Sequence, residues 1–242
     1  MANPLRDAFD FVIASYGEWF AAVRTPWACA ARTLAGDNDE EHIKRATAVW
    51  FASMFLSLVI TLPIYRIYGL RLENVGFQLT FVLVQYLALV TLAFIIHRGC
   101  LLAHIPSRFS DTFSLYTVVV AAASPFITLL RLPSLQQALY AIMRVKARHL
   151  SGLAAAEALV NAPVDPRNNL TTAADTVADP LLMALLLFVG ATVIVLIAEH
   201  YGVEERRAVR GMAMGLTLFW LPLGIIFAAL QQTILYIFVE GS

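Results

Sequence analysis

Charge is missing where it would matter most. Five apolar stretches, roughly Thr47–Tyr68, Phe77–Ile96, Thr112–Arg131, Leu181–Ala198 and Ala213–Val239, carry no Asp, Glu, Lys or Arg in their middle. Proton relays, ion-coupled pumps and voltage sensors need ionisable groups at membrane depth, so work of that kind is not expected. Only 14% of the 242 residues are charged, against roughly 25% in a soluble domain. The formal net charge is zero, and no global basic field invites nucleic acid. Cysteine is scarce: Cys29 and Cys100 are the two present. They form no CxxC pair, and a disulfide framework is not expected. There is no Gly-rich phosphate loop, no HExxH and no GxSxG elbow, so nothing supports hydrolytic or nucleotide chemistry. The N-terminus lacks the features of a signal peptide, because Asp7, Asp10 and Glu18 interrupt any apolar core.

What is present is apolar length. The chain is 60% hydrophobic, with a mean hydropathy of +0.72. About 20 apolar residues cross the hydrocarbon of a bilayer as a helix, and each stretch reaches or nearly reaches that length. In lipid each segment must satisfy its own backbone, which selects helices. The expected fold is all-α: a polytopic membrane protein with five transmembrane helices and an N-terminal interfacial amphipathic helix. Residues 1–36 form the amphipathic segment, and 37–242 form the membrane domain, with a long extramembrane connection at 132–180.

In the N-terminal segment Leu5, Phe9, Val12, Ile13, Tyr16, Trp19, Phe20 and Val23 recur at helical spacing. Pro26 breaks the pattern. Thr25 and Pro26 predict the cap and first turn of a short helix, Trp27–Ala35, stopped by Gly36. Asn38 with Glu41 resembles a capping box that opens the first span. Such a segment lies flat in the interface or packs under the bundle. The residues assigned to the interface are Phe9, Ile13, Trp19, Phe20 and Trp27, joined by Arg206, Arg207 and Arg210, which can meet anionic headgroups.

Arginine and lysine are dense before the first span and after the second and fourth. The positive-inside rule therefore predicts a cytoplasmic N-terminus and an outside C-terminus. Arg144, Lys146, Arg148 and Arg167 in the long connection oppose this, but long connections translocate with less regard to charge. Leu135, Ala138, Leu139, Ile142 and Val145 mark a helical face there, and Gly152–Asn161 a further turn or two. Asp179-Pro180 is a start signal for the fourth span.

A cytosolic segment rich in Trp and Pro, five spans and an outside C-terminus resemble the Yip-domain membrane proteins of bacterial type. Arg108-Phe109-Ser110-Asp111-Thr112-Phe113-Ser114-Leu115-Tyr116, followed by Ser124-Pro125, is similar to their aromatic-and-Thr stretch leading into a polar third span. The acidic Asp-Leu-Tyr-Gly-Pro stretch of eukaryotic members is absent. The resemblance implies a non-enzymatic, membrane-organising protein that acts with other membrane subunits.

Polar groups inside the spans are few. Gln78, Gln85, Gln231 and Gln232 are the most polar, and amides in lipid seek partners across helices. Gln85, Gln231 and Gln232 are the expected interhelical or partner contacts, with Gly211 and Gly215 forming a GxxxG for close approach. Pro125 and Pro222 each free a mid-span carbonyl and permit a kink. His97, Cys100 and His104 fall on one helical face, which softer metals favour. Juxtamembrane His and Cys are more often interfacial filler, and Pro106 ends any helix soon after. No metal, cofactor or catalytic residue is expected. The expected function is a scaffold or accessory subunit in a multi-pass membrane setting of bacterial inner-membrane type, with lipids and other subunits or copies of itself as partners. The alternative is a permease subunit for an apolar or lipid-like substrate.

Overall fold

Asn38 sets the start of the first long apolar helix. Its Oδ1 accepts the Glu40 backbone N–H at 3.1 Å, and its carbonyl accepts the Glu41 and His42 N–H groups. Glu41 does not fold back to complete a capping box; it pairs forward with Arg45 at 3.1 Å. The computed structural model describes residues 4–35, 38–67, 75–149 and 171–219, with isolated positions between 154 and 163. The described elements are α1 (Pro4–Arg24), α2 (Pro26–Thr33), α3 (Asp39–Ile67), α4 (Val75–Leu102), α5 (Phe109–Leu130), α6 (Leu132–Ala147) and α7 (Thr171–Tyr201). Residues 205–219 are also helical, and no strand occurs among the described residues.

The all-helical architecture agrees with the sequence. Among the described residues, four helices are long and apolar enough to cross a membrane: Asp39–Ile64, Val82–Leu102, Phe109–Leu130 and Val177–Tyr201. The fifth apolar run is helical as far as residue 219, and the rest of it lies outside the described residues. Element boundaries agree with the expectation at the start of α3 and differ from it at α7 and α2. Helix α3 begins at Asp39, directly after Asn38 as the capping signal predicts and ahead of the apolar run near Thr47, because its first turns are polar. Helix α7 begins at Thr171, and Pro180 sits inside it rather than at its start. Helix α2 ends at Thr33; Thr25 precedes it but makes no side-chain cap. The Thr25 hydroxyl bonds back to the Ala21 carbonyl at 3.2 Å instead.

Helix α5 is the centre of the bundle. It packs against α1, α2, α3, α4, α6 and α7, and it is the most buried of the four apolar helices. Close approach to α3 rests on small side chains. Ala46 and Ser53 on α3, and Ser114, Thr117 and Ala121 on α5, are wholly buried, and Ser57 meets Ser124 at 3.4 Å. In lipid, helices gain nothing hydrophobic by associating, so tight packing of this kind supplies the contact energy.

The 205–219 helix approaches α4 more closely still. A Cβ added at Gly99 would overlap the Gly211 carbonyl oxygen and stand 2.7 Å from the Gly215 nitrogen. One added at Gly215 would stand 2.5 Å from the Ile95 carbonyl oxygen. Gly211 lies by Cys100 and Ala103, and Gly215 by Ile95. The two helices therefore run antiparallel, with glycine against glycine at the crossing.

The N-terminal segment is not a surface appendage. Helices α1 and α2 fold as a hairpin joined by the Glu18–Arg32 pair at 3.4 Å, and both pack on α3 and α5. Trp19, assigned to the interface from the sequence, is buried at 9% exposure. Its Nε1–H donates to the Ala121 carbonyl at 2.9 Å. The reason lies in α5: Pro125 sits inside that helix and has no N–H to offer the carbonyl four residues back. That carbonyl belongs to Ala121, and the indole takes it. Ile13, Phe20 and Trp27 point outward at 56%, 67% and 42% exposure, so the apolar stripe splits between protein and surroundings. The Phe9 side chain lies outside the described residues. At the far end, Leu139 of α6 packs with Ile64 of α3 and with Leu132, Leu135 and Tyr140.

Candidate functional site

Helix ends place three ionisable side chains together. His42 stands in the first turns of α3, Asp111 in the first turn of α5, and His200 in the last turn of α7. The capped start of α3 fixes His42. The end of α7 is held by a glycine: Gly202 takes φ +61, and its N–H reaches the Glu199 carbonyl while the Val203 N–H reaches that of Ala198. This paired closure in a left-handed residue is the Schellman arrangement. Tyr201 then clasps the start of α5. Its hydroxyl accepts the Arg108 N–H at 3.1 Å and faces the Arg108 carbonyl at 3.3 Å. The clasp fixes α7 against α5 and sets His200 beside Asp111.

The two carboxylate oxygens of Asp111 face different partners. Oδ1 stands 3.4 Å from His42 Nδ1 and accepts from the Ser110 hydroxyl, also at 3.4 Å. Oδ2 stands 3.2 Å from His200 Nε2. Asp111 and His42 are buried, at 7% and 5% exposure, whereas His200 is partly open. A buried carboxylate costs several kcal/mol unless it is paired and hydrogen-bonded. Here it has two imidazoles, a hydroxyl and the positive end of the α5 dipole. Asp39, the first residue of α3 and exposed, completes the group. Its carboxylate, His42 and Asp111 each offer one ligand atom within 4.8 Å of the others.

The residues singled out from the sequence are distributed differently. Gln85 is exposed on α4, and Gln231 and Gln232 lie outside the described residues. Gly211 and Gly215 meet α4 at Gly99 as described above. Arg206, Arg207 and Arg210 are exposed. His97, Cys100 and His104 do not form a site. His97 Nδ1 stands 3.0 Å from the Ser107 hydroxyl, and Cys100 is buried against Gly211. His104 is spent on ending α4: at φ 58 it turns the chain, with its N–H on Leu101 and that of Ile105 on Cys100. In the N-terminal hairpin, burial and then the Glu18 carboxylate push the Cys29 thiol up, against the opposing pull of Arg32. It is a protonated, packed thiol rather than a nucleophile.

Sequence reasoning missed the His42–Asp111–His200 group because each residue stands at the rim of a span, where charge is ordinary. The available signal was that the expected alternation of spans puts all three rims at one end of the bundle. Comparison of the chain with protein families, with curated proteins and with solved structures found no match.

Proposed function

We propose that this protein is a non-enzymatic, multi-pass membrane subunit that organises other membrane components by association. The observation that carries the reading is Gln85, an amide exposed on α4 within its apolar stretch Val82–Leu102. A primary amide turned toward hydrocarbon seeks a hydrogen-bonding partner from another helix, at roughly 0.6–2 kcal/mol per bond. A second copy of the chain or another membrane subunit supplies it.

The finer reading includes a fifth crossing. Its support is the antiparallel run of Gly211–Gly215 along α4, which sends the 205–219 helix back beside a spanning helix. The outward side chains Ile13, Phe20 and Trp27 then meet lipid in the interface, with the N-terminus in the cytoplasm and the C-terminus outside a bacterial-type inner membrane. A membrane organiser of the Yip-domain kind suits that arrangement.

The test is assembly. Purified in mild detergent, the chain should run as an oligomer or carry a membrane partner, and Gln85→Leu should shift it toward a monomer without lowering its thermal stability. A monomeric wild-type chain that moves a lipid or small solute across vesicles would replace this reading with the permease.

A further inference from the structure

We infer that Asp39, His42 and Asp111 form a binding site for a divalent first-row transition-metal ion of the zinc class, with His200 orienting the Asp111 carboxylate. The argument begins with donor chemistry. One imidazole nitrogen and two carboxylates from two helix ends converge, each with a ligand atom within 4.8 Å of the others. Zinc takes nitrogen and oxygen ligands at about 2.0–2.2 Å in a tetrahedron, which sets neighbouring ligands about 3.3–3.6 Å apart. His42 Nδ1 and Asp111 Oδ1 already stand at 3.4 Å. The exposed Asp39 closes the third position by side-chain rotation, and its solvent side leaves the fourth to water.

Charge points the same way. Two carboxylates share this corner, and the lysine and arginine of the next turn of α3 are engaged elsewhere. Lys44 pairs with Glu40 at 2.8 Å, and Arg45 with Glu41 at 3.1 Å. The helix dipoles at the starts of α3 and α5 contribute only partial positive charge. A bound dication would balance the two acids. His200 acts on the other carboxylate oxygen: its Nε2–H donates to Asp111 Oδ2 at 3.2 Å, which leaves Oδ1 toward the metal. A hydrogen bond to a ligating carboxylate is what outer-shell residues supply in metal sites. The competing reading is an ion-paired clamp on α3, α5 and α7 with no affinity for metal.

The experiment uses the full chain in detergent, stripped with a chelator and titrated with zinc or cobalt ions. One saturable ion per chain is expected. The cobalt form should show tetrahedral visible absorption without a thiolate charge-transfer band, unchanged in Cys100→Ser. Asp111→Asn and His42→Gln should each weaken binding at least tenfold, and His200→Gln by roughly 10–100-fold. If those variants do not fold, the wild-type zinc form is read directly by X-ray absorption. Nitrogen and oxygen scatterers alone, at about 2.0–2.2 Å, support the site, whereas a sulfur shell near about 2.3 Å overturns it. Absence of saturable binding, or wild-type affinity in folded Asp111→Asn, also overturns it and leaves the clamp.

Discussion

Trp19 and Pro125 act as one unit although they lie on different helices. The proline deletes the donor for the Ala121 carbonyl, and the indole restores one at 2.9 Å. An unsatisfied buried carbonyl costs about 1–3 kcal/mol. Trp19→Phe keeps most of the apolar volume and removes the donor, so it should destabilise the chain by about that amount. Pro125→Ala returns a backbone N–H to α5, so Trp19→Phe should cost less in that background. The double-mutant cycle, read from thermal unfolding in detergent, should therefore show a coupling of about 0.5–3 kcal/mol. Additive losses would mean that the indole contributes packing alone. The freed carbonyl was legible in the sequence from Pro125. Its partner was not, because a helical apolar stripe shows which side of α1 is apolar but not whether lipid or protein covers it.

At the scale of elements, apolar length identified the long helices well, because the bilayer imposes it. Boundaries were less legible. Hydropathy is blind to the capped polar turn that opens α3, and Asp179-Pro180 reads as a start although the helix already runs from Thr171. The GxxxG at Gly211 and Gly215 was visible, but the glycine that receives it, Gly99, is not part of a GxxxG in α4. That pairing makes a sharp comparison. Gly99→Ala places a methyl against the Gly211 backbone, which no rotamer relieves. Overpacking of this kind costs about 1–3 kcal/mol or more, and the 205–219 helix should detach, read as faster proteolysis after Arg206 or Arg207. Gly190→Ala in α7 meets nothing within 4 Å. It should be neutral or stabilising by about 0.5–1 kcal/mol through helix propensity. Equal effects of the two substitutions would deny the tight crossing.

The molecule as a whole has a polar end and an apolar body. His42, Asp111 and His200 collect at one end of the bundle, where α3 and α5 begin and α7 ends. These helix directions put odd and even crossings in opposite senses, as successive spans require. The 205–219 helix continues the alternation, since it starts near the end of α4 and runs back along it. On the proposed five-crossing reading, the C-terminus would lie on the side opposite the start of α3. On the same reading, the positive-inside rule would put the Arg- and Lys-dense start of α3 in the cytoplasm. The α1–α2 hairpin packs on α3 and α5 through buried Trp19 and Ala22, so the proposed cytoplasmic N-terminus would rest on that packing as well as on charge. A reporter placed before Met1 should be active only in the cytoplasm, and one fused after Ser242 only outside. If both report the same compartment, the number of crossings is even, and either the hairpin or the last apolar run does not have the path described.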